Sequence, residues 1–265
     1  MDVGTAARLD RLGRNGRYVI IPMDHGITLG AVEGLATIED TIDAVTRGGA
    51  DAVLTQKGIA PRVHPNRNGA GYIVHLNAST VLGPDSNDKR VTASVEEALR
   101  AGADGVSFHI NVGSEYEPGQ LEALASVTEE AGRLGVPVLA MAYARGAHLT
   151  GTDPEHDAEN LGHAVRLAEE VGADLVKTAY SGSPDTFDHV VSSTRLPVLI
   201  AGGEPAGDLA TLEAVDGAMQ AGAAGVSIGR TVFQHADPAA MAEAVSAVVH
   251  DRAAPEDALS AAGLA

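Results

Sequence analysis

With no cysteine in 265 residues, the chain has no disulfide, no thiolate metal site and no cysteine nucleophile. Its 36 acidic residues against 18 basic ones give a formal charge of −18, a surface that repels nucleic acid and anionic lipid and argues against either as a partner. The basic residues are skewed to arginine, with only three lysines, which is the expectation for a protein adapted to high salt, where screening removes self-repulsion.

The N-terminal M-D-V-G-T-A-A-R-L-D-R-L-G-R has no apolar segment of the kind that begins a secretory signal. No apolar run approaches the roughly 18–20 residues that span a bilayer, so a soluble, cytoplasmic chain without a membrane partner is expected. A first strand is read at 17–24, followed by a helix at 38–47 with Thr37 as its cap. Strands at 52–56, 72–77 and 105–111 continue the series, then a helix at 120–134 and a strand at 136–143. A helix at 157–171 precedes strands at 174–180, 196–203 and 225–230, and 251–265 reads as a helical tail. One pattern recurs: R-G-G-A-D-A-V-L (47–54), R-A-G-A-D-G-V-S (100–107), E-V-G-A-D-L-V-K (170–177) and Q-A-G-A-A-G-V-S (220–227). In each, a helix ends at a glycine able to turn left-handed, and a short loop feeds an apolar strand.

Continuous apolar runs, rather than alternating ones, imply strands buried on both faces, as in parallel sheets. Eight of them in one chain, without a dividing linker, predict an α/β fold: a single-domain (β/α)8 TIM barrel spanning 1–265. The competitor, an open doubly wound sheet, lacks its glycine-rich turn, since M-D-H-G-I-T-L-G follows the first strand. With no Trp and only 3 Phe, the core has to be built from Ala, Val, Leu and Ile.

In such a barrel the chemistry lies at the C-terminal strand ends. Lys177 is the outstanding candidate, in the middle of D-L-V-K-T-A-Y. Alternation puts Leu175, Lys177 and Ala179 on one face, and an inward lysine among small apolar groups is desolvated. Desolvation disfavours the ammonium and supplies the neutral amine that imine formation requires. The competing reading is a structural lysine paired with a carboxylate inside the barrel. Lys57, near a strand end, is a candidate second cation or phosphate ligand, and Lys89, beside Asp85, Asn87 and Asp88, reads as solvent-exposed. Asp24 and Tyr143, each in phase with inward residues, complete an acid/base set with the amine. Gly202-Gly203 and Gly229-Arg230, at the ends of strands seven and eight, fit a phosphate held by backbone N–H groups and a guanidinium. The histidines near strand ends, His25, His75 and His109, include no pair spaced as metal ligands within one element. His25 and His109 are therefore read as hydrogen-bonding members of the pocket, with a divalent-metal aldolase as the alternative. A catalytically dead barrel would have lost Lys177, Tyr143 or Asp24, and all three are present.

The segments I-P-M-D-H-G (21–26), M-A-Y-A-R-G (141–146), G-A-D-L-V-K-T (172–178), A-G-G (201–203) and V-S-I-G-R-T-V-F-Q-H (226–235) together resemble the archaeal-type class I, Schiff-base aldolase family. That family includes archaeal fructose-bisphosphate aldolases and 2-amino-3,7-dideoxy-D-threo-hept-6-ulosonate synthases. The resemblance implies Lys177 as the Schiff-base lysine, Tyr143 as proton donor and Asp24 as proton acceptor. It implies that substrate and phosphate are held by His25, Gly26, Ile27 and Thr28, by Ala144 and Arg145, and by Gly202, Gly203, Gly229 and Arg230. It further implies no metal and no cofactor, a homo-oligomer (often a decamer), and small-molecule partners: a phosphorylated keto-sugar and an aldehyde acceptor. I-P-M-D-H-G, V-H-L-N-A-S-T (74–80) and S-F-H-I-N-V-G-S (107–114) look closer to the synthase branch. That branch transfers a three-carbon unit from 6-deoxy-5-ketofructose 1-phosphate to L-aspartate semialdehyde, on the archaeal route to 3-dehydroquinate and aromatic amino acids. Fructose-bisphosphate cleavage is the alternative.

Overall fold

In the computed structural model, which describes residues 2–203 and 207–264, eight parallel strands close into one barrel. They are β1 (Tyr18–Pro22), β2 (Ala52–Gln56), β3 (Gly71–His75), β4 (Gly105–Val112), β5 (Val138–Ala144), β6 (Leu175–Thr178), β7 (Val198–Ala201) and β8 (Gly225–Ser227). Each pairs with its sequence neighbours, and β1 pairs with β8 to complete the ring, so the expected TIM barrel is what forms. Several strands are shorter than their apolar runs predicted. β1 stops at Pro22 because Asp24 and His25 already turn into the short helix Gly26–Leu29. The helix at Ile38–Arg47 is present, but the Thr37 side chain makes no capping hydrogen bond.

Two apolar layers follow from the strand alternation. Residues pointing inward, including Ile20, Leu54, Ile73, Leu139, Leu175 and Leu199, fill the barrel interior. Residues pointing outward, such as Val19, Val53, Val74, Val106, Val176 and Val226, pack under the helices. Each such side chain, fully buried, contributes about 1.5–3 kcal/mol relative to exposure. The lower end of the interior is plugged by the helix Val3–Leu12, capped by Asp2 on the Thr5 N–H at 2.9 Å, which inserts Leu9 and Leu12.

The repeated Gly-Ala-Asp segment has a structural purpose beyond its turn. Gly49, Gly102, Gly172 and Gly222 all have positive φ, between 79° and 96°, ending their helices as the pattern predicted. The aspartate then grips the preceding strand twice. The Asp51 N–H donates to Val19 O at 2.9 Å, while its carboxylate accepts from the Val19 N–H at 2.7 Å. Asp104 does the same to Tyr72 (2.7 and 3.1 Å), and Asp174 to Val138 (3.0 and 2.9 Å). In the fourth copy Ala224 keeps the backbone bond to Val198 at 2.8 Å and has no carboxylate to complete the grip. Each even-numbered strand is thus tied to the odd one before it.

At the far end of the chain, helix Pro255–Ala261 buries Pro255, Ala258 and Leu259; Ala265 lies outside the described residues. Among the described residues no helix is long and apolar enough to cross a membrane.

Candidate active site

The C-terminal ends of the strands open into a cleft of about 410 Å³. Lys177 lies on β6, in register with Met141 on β5 and Leu199 on β7, and points into the barrel as its phase predicted. Only 7% of the residue is exposed, and that fraction faces the cleft. Among the described residues no carboxylate lies within ion-pair distance of its ammonium, so it is not a lysine locked in a buried salt bridge.

Asp24 follows β1 and reaches the same cleft. Its carboxylate lies 3.8 Å from both His25 Nδ1 and His75 Nε2. Burial works against its ionisation, but the facing His75, His25 and Lys177 outweigh it and hold the carboxyl below its usual value. His75 is pinned by its Nδ1, 2.7 Å from Ser107 Oγ. Burial pushes its pKa down to about 4 against the pull of Asp24, leaving a neutral imidazole at pH 7. His25 is also pushed down by burial, with its ring packed edge-on against Phe233.

On the opposite wall, Tyr143 stands near the end of β5 with its ring 5.0 Å from His109 and 5.2 Å below the Arg145 guanidinium. His109 is held well below its ordinary pKa, first by burial and then by the charge of Lys89. Its Nε2 lies 2.7 Å from Asn111 Oδ1. The corner between β7 and β8 is formed by Gly202, Gly203, Gly229 and Arg230. A side chain at position 229 would place its Cβ 2.6 Å from Pro22 O, so only glycine lets this loop approach β1. Arg230 donates from Nη2 to Gly203 O at 3.2 Å, tying the two loops together. Ser227 Oγ, buried beneath that corner, has no hydrogen-bond partner among the described residues.

A buried amine, a carboxylate, a phenol and a glycine-and-arginine corner around one cleft form a set capable of imine chemistry on an anionic ketone. Residues 18–235, from β1 past β8, match the DeoC/LacD family aldolases. The chain belongs to that aldolase family. A 2-amino-3,7-dideoxy-D-threo-hept-6-ulosonate synthase from Halobacterium salinarum is 68% identical over 263 residues, 99% of this chain and 98% of the relative. A class 1 fructose-bisphosphate aldolase from the same organism is 32% identical, over 94% of this chain and 96% of its own length. Among solved structures, an archaeal fructose-1,6-bisphosphate aldolase with its catalytic lysine bound to a carbinolamine intermediate superposes with a TM-score of 0.84. It is 30% identical, over 93% of this chain and 99% of that one.

Within this cleft most of the residues expected from sequence come together: Asp24, His25, Thr28, Tyr143, Arg145 and Lys177, with the four of the β7–β8 corner. Three do not line it. Gly26 and Ile27 line a neighbouring apolar hollow of about 300 Å³ that shares Asp24 with the cleft. Ala144 follows an inward Tyr143 and therefore turns outward, into the layer beneath the helices. Lys57 is also elsewhere: a single 3₁₀ turn, Lys57–Ile59, directs its ammonium to Glu97, 3.0 and 3.1 Å from the two carboxylate oxygens. The opposite correction applies to Lys89, which is partly buried and lines the aldolase cleft rather than standing in solvent. The acidic neighbours that suggested exposure are engaged elsewhere, Asp88 with Arg90 at 2.7 Å and Asp85 with the Asn87 N–H at 2.7 Å. His75, close to Asp24, was visible in sequence only as a histidine near a strand end.

Proposed function

We propose that this enzyme catalyses the 2-amino-3,7-dideoxy-D-threo-hept-6-ulosonate synthase reaction. The observation that carries the chemistry is Lys177, buried, with no carboxylate partner among the described residues, and lining the cleft shared with Asp24 and Tyr143. The choice of substrate is supported by the 68% identity to a synthase against 32% to a fructose-bisphosphate aldolase.

In this reading the Lys177 amine adds to the 5-keto carbon of 6-deoxy-5-ketofructose 1-phosphate, and loss of water gives an iminium. Asp24 accepts the hydroxyl proton as the adjacent C–C bond breaks. The bonding pair moves into the iminium to form an enamine, and a three-carbon keto-aldehyde phosphate departs. The enamine carbon then attacks the aldehyde carbon of L-aspartate semialdehyde, whose oxygen takes a proton from Tyr143. Water hydrolyses the resulting imine and frees the lysine. His25, Thr28 and Arg145 line the substrate's path, and Gly202, Gly203, Gly229 and Arg230 hold the donor phosphate. The lysine serves as the electron sink, so the reading includes no cofactor and no metal. A cytoplasmic homo-oligomer working at high salt belongs to the same reading, and light scattering across a salt series reads the copy number.

The test is a paired assay of the purified protein: condensation of the keto-sugar phosphate with aspartate semialdehyde, and cleavage of fructose 1,6-bisphosphate. The synthase reaction is expected to be the faster. Faster fructose-bisphosphate cleavage would overturn the assignment.

A further inference from the structure

Lys89 is a further cation of the cleft, outside the β7–β8 corner assigned above to the donor phosphate. It immediately precedes the return strand of a two-stranded ribbon in the β3–β4 connection, Asn77–Ala78 against Arg90–Val91. The ribbon is fastened to β4 at the level of the cleft. Asn77 Nδ2 donates to His109 O at 2.8 Å, and its Oδ1 accepts from the His109 N–H at 2.9 Å. The ammonium itself is aimed by a short relay, Lys89 Nζ donating to Ser79 Oγ at 2.7 Å and Ser79 Oγ donating to Ser86 O at 2.6 Å. A lysine has three N–H donors. One is spent on Ser79, and among the described residues no carboxylate lies within ion-pair distance. Burial and then the charge of Arg145 push the Lys89 pKa down, so two cations share this wall against the cost of their repulsion. Arg145 has Glu155 Oε2 3.5 Å from its Nε, so Lys89 is the one of the two without a carboxylate among the described residues, and an anion arriving beside it relieves both the repulsion and the desolvation.

Strand order separates this wall from the other cationic corner. Lys89, His109 and Arg145 belong to β3 through β5, whereas Gly202, Gly203, Gly229 and Arg230 belong to β7 and β8 across the ring. The second substrate of the proposed reaction is an aldehyde whose oxygen must meet the Tyr143 phenol. Tyr143 lies directly under Arg145. The acceptor's carboxylate is only a few bonds from its aldehyde carbon, so with the oxygen at Tyr143 its charge falls on the Lys89 wall. We infer that Lys89, together with Arg145, binds the carboxylate of the aldehyde acceptor, giving the cleft a second anion subsite distinct from the β7–β8 corner. The inference rests on the transferase reading above.

Steady-state kinetics with both substrates varied test it. Lys89→Met is expected to raise the KM for aspartate semialdehyde about tenfold or more, the effect of losing one charge-assisted contact, while the donor KM moves by less than about twofold. The preference for aspartate semialdehyde over an uncharged aldehyde of similar length should fall by the same factor, and Lys89→Arg should recover most of it. Lys89→Gln carries the same expectation if the methionine variant does not fold. A rise in donor KM with the acceptor KM unchanged, or no change in either, overturns the subsite. Failure of the unmodified enzyme to use aspartate semialdehyde sinks the functional reading and the subsite with it, before any variant is made.

Discussion

The two ends of the barrel are built from similar residue types and treat them in opposite ways. At the lower end, buried aspartates are saturated: Asp51 accepts from the Val19 N–H, from Arg14 at 2.6 Å and from His250 at 2.8 Å. Asp104 likewise serves Tyr72, Arg11 and Arg67. At the upper end, the buried side-chain polar atoms without a hydrogen-bond partner among the described residues are His25 Nδ1, Thr178 Oγ1 and Ser227 Oγ. Two of these belong to residues lining the cleft and the third to the residue after Lys177. Buried polar groups are normally paired, so the two orphans on the cleft, His25 Nδ1 and Ser227 Oγ, mark where the fold gives up stability for binding capacity. The lower end holds the strands in register; the upper end keeps groups available.

The contrast can be broken most sharply at its upper end. Lys177→Met is expected to lower turnover by roughly 10⁴-fold or more, because the nucleophile is gone. The thermal midpoint should be no lower than that of the unmodified protein, since a buried ammonium with no carboxylate partner among the described residues is replaced by a thioether of similar length. A clear loss of stability would show that Lys177 belongs with the structural residues instead. Asp51→Ala should do the reverse. It leaves the Val19 N–H, Arg14 and His250 without their acceptor, costing about 3 kcal/mol by denaturant unfolding, with kcat per folded molecule preserved.

Acid should act through the mouth. His75 has its pKa depressed to about 4 from an ordinary 6.5, so between those values the unfolded chain binds the proton that the folded one refuses. Stability therefore rises with pH across that window and is lost as pH falls through it, by about 3 kcal/mol from this group alone. His109, also depressed, adds in the same direction. Unfolding in urea from pH 4 to 7 reads the slope, and His75→Gln should flatten it; an unchanged slope would remove His75 as a cause. The smallest expected effect sharpens the lower end. Ala224→Asp supplies the missing fourth grip on Val198 and should stabilise by about 1 kcal/mol in the same assay.

Much of this architecture was legible in the amino-acid order, for physical reasons that also explain where legibility stopped. Apolar runs locate the strands because a parallel sheet is buried on both faces, and the Gly-Ala-Asp repeat locates their entries because only glycine takes the left-handed turn cheaply. The inward phase of Lys177 and Tyr143 follows from alternation, and the same rule turns Ala144 away from the cleft. Lys89 was not legible. The ribbon strands beside it are two residues each, too short to carry a period, and long-range bonds, from Asn77 to His109 and from Asn111 and Gln120 to Asn87 O, bring the lysine over the mouth. Lys57 failed for a related reason. A strand end fixes where a backbone stops but not which way the next turn throws a long side chain. The direction came from Glu97, 40 residues away in sequence.

The central claim is that Lys177 is the amine that bonds to substrate, and reductive trapping tests it most directly. Borohydride added with the keto-sugar phosphate should freeze the imine as a stable secondary amine, raising the protein mass by one reduced substrate fragment. Peptide mapping should place that mass on the peptide containing Lys177, and Lys177→Met should trap nothing. An adduct found on Lys57 or Lys89 with Lys177 unmodified, or no adduct during active turnover, would contradict the account.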